Sequence, residues 1–165
     1  MKKIASILVL AMSLFSCTQA QQTEFNEQAL SNTMKDVDKS AITFQEILKK
    51  HEGKIIVMDV WASWCGDCIK GMPKVKALQE KYPEVTYLFI SMDKDYDSWT
   101  KGIEKYNVQG DHYLTNDGMK GVFGKAINLD WIPRYLVVDQ TGKIALFKVI
   151  EADDEKLIEI LESLK

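Results

Sequence analysis

Two cysteines, Cys65 and Cys68, form the pattern in this sequence that most directly indicates chemistry. Two thiols at this spacing can carry out disulfide exchange, because one attacks a substrate disulfide and the other resolves the mixed disulfide that results. A bridge that closes so short a loop restricts the unfolded chain little, which makes a purely structural disulfide a weak explanation. We therefore predict that Cys65 and Cys68 are catalytic and form a redox-active disulfide that needs no added cofactor.

Zinc binding is the main rival interpretation of a Cys-x-x-Cys pattern. A structural zinc site needs four ligands. The chain has one further cysteine, Cys17, and its two histidines, His51 and His112, are isolated from the pair and from each other. We therefore expect no metal site.

The acidic residue Asp59 interrupts an apolar run over residues 54–60 that is typical of a buried strand. Burial removes water from a carboxylate and so raises its pKa. A raised pKa would make Asp59 a catalytic proton acceptor for Cys68 when this thiol resolves a mixed disulfide. The alternative interpretation is an aspartate at the edge of a sheet, where water reaches it.

Gly66 and Asp67 lie between the two thiols and are predicted to modulate them. A helix that begins here would favour the Cys65 thiolate through its unpaired N–H groups and its dipole. The negative charge of Asp67 opposes that thiolate. Compared with an Asp67→Asn variant, we expect a higher thiol pKa at Cys65 and a more strongly reducing protein.

The elements that must position these residues alternate between strands and helices. Apolar residues spaced three or four apart predict a helix from Cys68 that contains Pro73 and ends near Tyr82. Further strands are predicted over residues 85–92, 135–138 and 143–149, and further helices near 44–51, over 97–106 and after Asp153 or Asp154. This order predicts an α/β fold in which helices cover both faces of a mixed sheet.

The first residues have the composition of a secretory signal. Two lysines precede an apolar run over residues 4–15, which is too short to span a bilayer as a mature helix. The run ends in Leu14-Phe15-Ser16-Cys17, which resembles the lipobox of bacterial lipoproteins and implies a lipid on Cys17. Ordinary signal cleavage after Thr18-Gln19-Ala20 is the alternative.

The length and composition fit one globular domain behind this leader. The chain has 165 residues, of which 46% are hydrophobic and 27% are charged. Its formal charge is −3 and it has no basic run, so no nucleic-acid partner is expected. We predict a signal peptide over residues 1–16, a flexible tether over 17–28 and a single domain over 29–165.

The catalytic segment resembles thioredoxin. The resemblance rests on residues 59–68, Asp-Val-Trp-Ala-Ser-Trp-Cys-Gly-Asp-Cys, on Pro73 and on the later Ile132-Pro133. The leader and a long middle segment are more similar to the TlpA/ResA group of membrane-anchored, extracytoplasmic thioredoxin-like proteins. The resemblance covers residues 42–165 and implies a thioredoxin fold with a TlpA-type insertion, over 93–121, before a cis-proline.

The resemblance also implies roles at the site. Pro133 matches the cis-proline of the family, and Ile132 matches the residue whose backbone pairs with the substrate chain. A proline that merely begins a strand is the alternative at Pro133. Trp64, beside Cys65, is interpreted as an exposed apolar rim for the substrate disulfide. Asp67 departs from the family, which has a proline before the second cysteine.

The function that the resemblance implies is the reduction of protein disulfides in the bacterial envelope. Electrons would pass from a membrane donor through Cys65 and Cys68 to oxidised envelope proteins, among them apocytochrome c. The protein would work in the periplasm, held to a membrane by the lipid on Cys17. Two alternatives stay open: a disulfide oxidase or isomerase, and a redox-inert lipoprotein that uses the thioredoxin fold for binding.

Overall fold

The computed structural model describes residues 22–165. The predicted signal peptide over 1–16 and the predicted lipidation site Cys17 lie outside the described residues. Within the described range, no helix is both long enough and apolar enough to cross a membrane.

Helices and strands alternate along most of the described chain. In chain order they are α1 (Glu27–Leu30), β1 (Thr33–Asp36), β2 (Ala41–Thr43), α2 (Phe44–Lys50), β3 (Ile56–Trp61), α3 (Gly66–Lys81), β4 (Thr86–Ser91), α4 (Tyr96–Tyr106), β5 (Asp111–Thr115), α5 (Val122–Ala126), β6 (Arg134–Val138), β7 (Ile144–Val149) and α6 (Glu155–Leu164).

The strands form one mixed sheet of seven strands in the order β2-β1-β5-β4-β3-β6-β7. β3, β4 and β5 are parallel neighbours, whereas β6 pairs antiparallel with β3 and with β7. All six residues of β3 are buried, so both faces of the sheet are covered at its centre. The predicted α/β fold with a mixed sheet is confirmed.

Local signals explain why the predicted helices form where they do. Thr43 and Glu46 make a capping box at the start of α2: the Glu46 N–H donates to the Thr43 hydroxyl at 3.3 Å, and the Thr43 N–H donates to the Glu46 carboxylate at 2.8 Å. Asp154, one of the two predicted caps, begins α6 by accepting from the Lys156 N–H at 2.9 Å. α3 continues through Pro73, as predicted.

The sequence patterns miss the short elements α1, β1, β2, β5 and α5. Each has between three and five residues, too few to show a helical or an alternating period. The expectation of a loop-and-helix insertion over 93–121 is therefore incomplete. That segment also supplies β5, which pairs with β4 and β1 inside the sheet.

The tether predicted over 17–28 is wrong at its C-terminal end. Phe25 is buried, and its ring meets Phe44 edge-on with centroids 4.8 Å apart. The Thr23 carbonyl accepts a hydrogen bond from the N–H of Ile144 at 2.8 Å, which fastens this segment to β7. The aromatic side chain in an otherwise polar stretch was the available signal, and the domain begins before residue 29.

Candidate active site

The two cysteines lie at the junction between β3 and α3, the predicted strand-to-helix turn. They are joined as a disulfide, with their Cα atoms 5.3 Å apart. Cys65 is the N-cap of α3, and the backbone N–H of Cys68 points at its sulfur from 3.1 Å. After reduction, the free N–H groups and the dipole of this 16-residue helix favour a thiolate at Cys65.

Both cysteines are buried, and Cys65 is the more exposed of the two. Cys65 is 6% exposed and Cys68 is 1% exposed. The exposed tryptophans Trp64 and Trp131 lie in the surface around the disulfide, whereas Trp61 is fully buried. This asymmetry suits an attack by Cys65 on a substrate and a later attack by Cys68 from within the protein.

The segment before β6 reaches the disulfide from a distant part of the sequence. The carbonyl oxygen of Ile132 lies 3.6 Å from the sulfur of Cys65. The Ile132–Pro133 peptide bond is cis, as the resemblance implied. Both side chains are buried, so a substrate at this point would meet chiefly the backbone of Ile132.

Asp59 lies in the middle of β3, between β4 and β6, and is 2% exposed. The alternative of an edge position with access to water is therefore wrong. Neither carboxylate oxygen has a hydrogen-bond partner in the described chain. Burial raises the pKa of Asp59 to about 8. The nearby hydroxyl of Tyr135, on the facing strand, opposes part of this rise, although it does not meet the geometry of a hydrogen bond to Asp59.

Asp59 and Cys68 lie in the same interface, between α3 and the sheet. Asp59 and Tyr135 are cross-strand partners, so their side chains share one face of the sheet. On that face, the Tyr135 hydroxyl lies 3.6 Å from the position that a Cβ atom on Gly71 of α3 would occupy. Cys68 is one helical turn before Gly71 and is also buried, so the candidate proton acceptor and the second thiol face the same interior.

Gly66 and Asp67 are both exposed, at the outer side of the first turn of α3. Asp67 pairs with Lys70 at 3.4 Å, and the two side chains are 57% and 81% exposed. Such an exposed pair contributes little to stability. The modulating role of both residues stays a prediction.

Sequence reasoning missed a buried acid that holds the catalytic turn. Asp93 follows β4 and is 1% exposed. It accepts hydrogen bonds from the backbone N–H of Ser63 at 2.9 Å, from the Ser63 hydroxyl at 2.7 Å and from the Ser91 hydroxyl at 2.7 Å. The available signal was a polar residue at the carboxyl end of a strand parallel to β3, because such ends meet at one edge of a sheet.

A glycine of α4 supports the same turn. A Cβ atom at Gly102 would lie 2.6 Å from the Cβ of Ser63 and 3.5 Å from the ring of Trp61. The absence of a side chain therefore lets α4 approach the residues that precede Cys65.

Two grooves flank the disulfide. The larger, of about 690 Å³, is lined by Trp64, by Met92 to Asp95 and by residues 117–120. The smaller, of about 240 Å³, lies between the start of α3 and the cis bond and includes Trp131, Pro133 and Tyr135. Among residues 22–165, no cluster of three or more His, Cys, Asp or Glu side chains is arranged to hold a metal ion.

Comparison with known proteins finds relatives that include thioredoxins and a thiol–disulfide oxidoreductase. The thioredoxin-like family matches residues 53–144, which include both cysteines, Asp59 and the cis bond. The thiol-disulfide oxidoreductase ResA of Bacillus thuringiensis is 25% identical over 149 residues, 89% of this chain and 82% of its own. Thioredoxin F1 of Arabidopsis thaliana chloroplasts is 42% identical over 60 residues, 36% of this chain and 33% of its own. The chain thus spans about a third of the length of the chloroplast thioredoxins that it matches.

Solved structures agree with the sequence relatives. The solution structure of a candidate thiol-disulfide oxidoreductase from Bacteroides vulgatus superimposes with a TM-score of 0.69 and 30% sequence identity. The match covers 84% of this chain and 89% of that one. Since sequence, fold and the disulfide at the start of α3 all agree, this chain belongs to the thioredoxin-like family of thiol–disulfide oxidoreductases.

Proposed function

We propose that the protein reduces disulfides of other proteins in the bacterial cell envelope. One observation carries the proposal: Cys65, at the N-cap of α3, is the more exposed of the two cysteines, and Cys68 shares an interior with the unpartnered carboxyl of Asp59. This arrangement provides a nucleophile, a resolving thiol and a proton acceptor in the order in which a dithiol reductase uses them.

The reaction begins at Cys65. Its thiolate attacks one sulfur of a substrate disulfide, and the other substrate sulfur leaves as a thiolate. Cys68 then attacks the Cys65 sulfur while its thiol proton passes to the Asp59 carboxylate. The Cys65–Cys68 disulfide forms, the second substrate thiolate leaves, and two electrons have passed to the substrate.

The substrate side of the proposal rests on the surface around the disulfide. Trp64 is 60% exposed beside Cys65 and offers an apolar rim. The Ile132 carbonyl, 3.6 Å from the Cys65 sulfur, is in position to accept a hydrogen bond from an extended substrate backbone, with Pro133 beside it. Oxidised envelope proteins, with apocytochrome c among them, are the proposed clients, and a membrane protein is the proposed electron donor.

The location rests on the sequence of the leader. We infer a signal peptide over 1–16 and a lipid on Cys17, because a cysteine directly follows a short apolar run with a positive start. A Cys17→Ser variant should move from the membrane fraction to the soluble periplasm. Unchanged membrane association would contradict the lipid anchor without touching the redox proposal.

The direction of electron flow is tested by the reduction potential of the Cys65–Cys68 pair. The full chain carrying Cys17→Ser retains these two of its three cysteines, so that equilibration in defined thiol buffers reports them alone. A potential at or below about −230 mV is expected for a reductase. A potential near about −120 mV would instead identify an oxidase. A Cys68→Ser variant that traps no mixed disulfide in cells would favour the redox-inert alternative.

A further inference from the structure

A buried proton acceptor must return its proton to solvent once in every turnover. Asp59 is 2% exposed, and its oxygens have no hydrogen-bond partner in the described chain. The residue that faces it on the parallel neighbour β4 is Phe89, which carries no polar group. A route for the proton therefore has to come from β6 or from α3.

The facing residue on β6 is Tyr135. It is paired with Asp59 across the antiparallel strands, and it is 1% exposed. Its hydroxyl extends to the backbone of α3 at Gly71. Burial, followed by the neighbouring Asp59 charge, raises the pKa of Tyr135 far above its ordinary value, so the phenol keeps its proton and can donate it in a hydrogen bond when Asp59 is ionised.

Tyr135 also lines the smaller groove, of about 240 Å³, which opens beside α3. The charged groups that face this side of the interface come from α3 and from the connection between β7 and α6: Asp67, Lys70, Lys74, Glu151 and Asp153. Lys74 joins the two elements, with ion pairs of 2.7 Å to Glu151 and 3.0 Å to Asp153. The groove therefore has a charged mouth, and Tyr135 is among the residues that line it.

We propose that Tyr135 is a positioning residue for Asp59, whose hydroxyl orients the carboxylate and passes its proton to solvent in this groove. The inference rests on the proposed function and deepens it. After Cys68 has given its proton to Asp59, the carboxylic acid donates a proton to the phenol oxygen while the phenol releases its own proton to the groove. Tyr135 ends unchanged, and no further reactant is needed.

The test follows the two steps of thiol release separately. The full chain with Cys17→Ser is reduced and mixed in stopped flow with the aromatic disulfide dithiobis-nitrobenzoate. The first thionitrobenzoate is released when Cys65 attacks, and the second when Cys68 resolves the mixed disulfide. Both phases are measured between about pH 6 and pH 10, on either side of the Asp59 pKa of about 8.

The Tyr135→Phe variant keeps the ring and removes the hydroxyl. We expect the midpoint of the second phase to move about one pH unit upward, since the carboxylate loses the neighbouring hydroxyl that favours its charged form, and the second phase at pH 7 to slow about tenfold. The first phase should not change. In the Asp59→Asn background, adding Tyr135→Phe should cause no further loss.

Tyr87→Phe is the matched control. It removes another buried hydroxyl from the same interface, one that donates to the carbonyls of Leu78 at 2.9 Å and Tyr82 at 3.2 Å, at the far end of α3. Both phases should match wild type in this variant, so a general packing effect is distinguished from a role at Asp59.

Three outcomes would overturn the inference. A Tyr135→Phe profile identical to wild type, or a further loss in the Asp59→Asn background, would contradict the role of Tyr135 while leaving the proposed function intact. A second phase that does not depend on Asp59 would overturn both the role of Tyr135 and the part of Asp59 in the proposed function.

Discussion

Two buried aspartates, Asp59 in β3 and Asp93 just after the parallel neighbour β4, differ in their hydrogen-bond partners. Asp93, at the end of β4, accepts hydrogen bonds from the backbone and hydroxyl of Ser63 and from the hydroxyl of Ser91. Asp59, in the middle of β3, has no hydrogen-bond partner for either oxygen in the described chain. Their exposures are nearly equal, 1% and 2%.

The difference separates an acid that builds the site from an acid that can react in it. A carboxylate that accepts three hydrogen bonds recovers much of the hydration free energy that it loses on burial. Two of the hydrogen bonds to Asp93 come from Ser63, so they also hold the turn before Cys65 in place. A carboxyl without partners keeps its proton to a higher pH and so can exchange it near neutrality. Burial alone is thus a poor guide to function, and the partners of the buried group decide.

The largest expected effect comes from the protonation of Asp59. Its pKa is about 8 in the folded protein against an ordinary value of 3.8, so unfolding releases a proton from Asp59 at any pH between these two pKa values. Folding stability should therefore fall as pH rises, by about 1.4 kcal/mol for each pH unit between about 4 and 8, and level off above. Asp59→Asn should lose this slope and exceed wild type in stability at pH 9.

Urea unfolding of both oxidised proteins at pH 5, 7 and 9 measures this effect. If the free energy of unfolding of wild type and of Asp59→Asn depended on pH in the same way, Asp59 would be ionised in the folded protein at neutral pH. That result would contradict the conclusion that the unpartnered Asp59 keeps its proton to a higher pH.

The second prediction concerns Asp93, the aspartate of the two that is hydrogen-bonded. Asp93→Ala leaves the N–H and hydroxyl of Ser63 and the hydroxyl of Ser91 without an acceptor, which should destabilise the protein by about 3 kcal/mol. Asp95→Ala, which removes the exposed N-cap of α4, is the control and should cost about 1 kcal/mol. If urea unfolding showed the same loss of stability in both variants, the hydrogen bonds of Asp93 would stabilise the protein no more than an exposed helix cap does.

The smallest expected effect concerns Asp67, an aspartate that is exposed to solvent. Asp67 is exposed in the first turn of α3, so its charge acts on Cys65 through solvent. Asp67→Asn should lower the pKa of the reduced Cys65 thiol by less than about one unit, and ultraviolet absorbance of the thiolate against pH measures it. A rise in that pKa would reverse the sign of the proposed modulation.

The reactive half of this site can be predicted from sequence because it is local. Cys65 and Cys68 are three residues apart, and Asp59 stands out within one apolar run of residues. The continuous apolar runs of β3 and β4 and the helical spacing of apolar residues in α3 are predicted for the same reason. Each signal is contained in a window shorter than 20 residues.

The supporting half depends on register and tertiary contact. Asp93 meets Ser63 over 30 residues of sequence, and Tyr135 faces Asp59 only through the pairing of β6 with β3. No pattern within either strand specifies that partner. β5 was missed for a similar reason: its five residues become a strand because β4 and β1 flank it.

If Cys17 carries the proposed lipid, the burial of Phe25 also limits how far the domain can lie from a membrane. Thr23, which is already bonded to β7, is six positions along the chain from the lipidation site proposed at Cys17. Even fully extended, such a chain reaches only about 20 Å. Under the proposed anchorage, the Cys65–Cys68 pair would stay close to the bilayer and diffuse along its surface. A client would then have to come to that surface to be reduced.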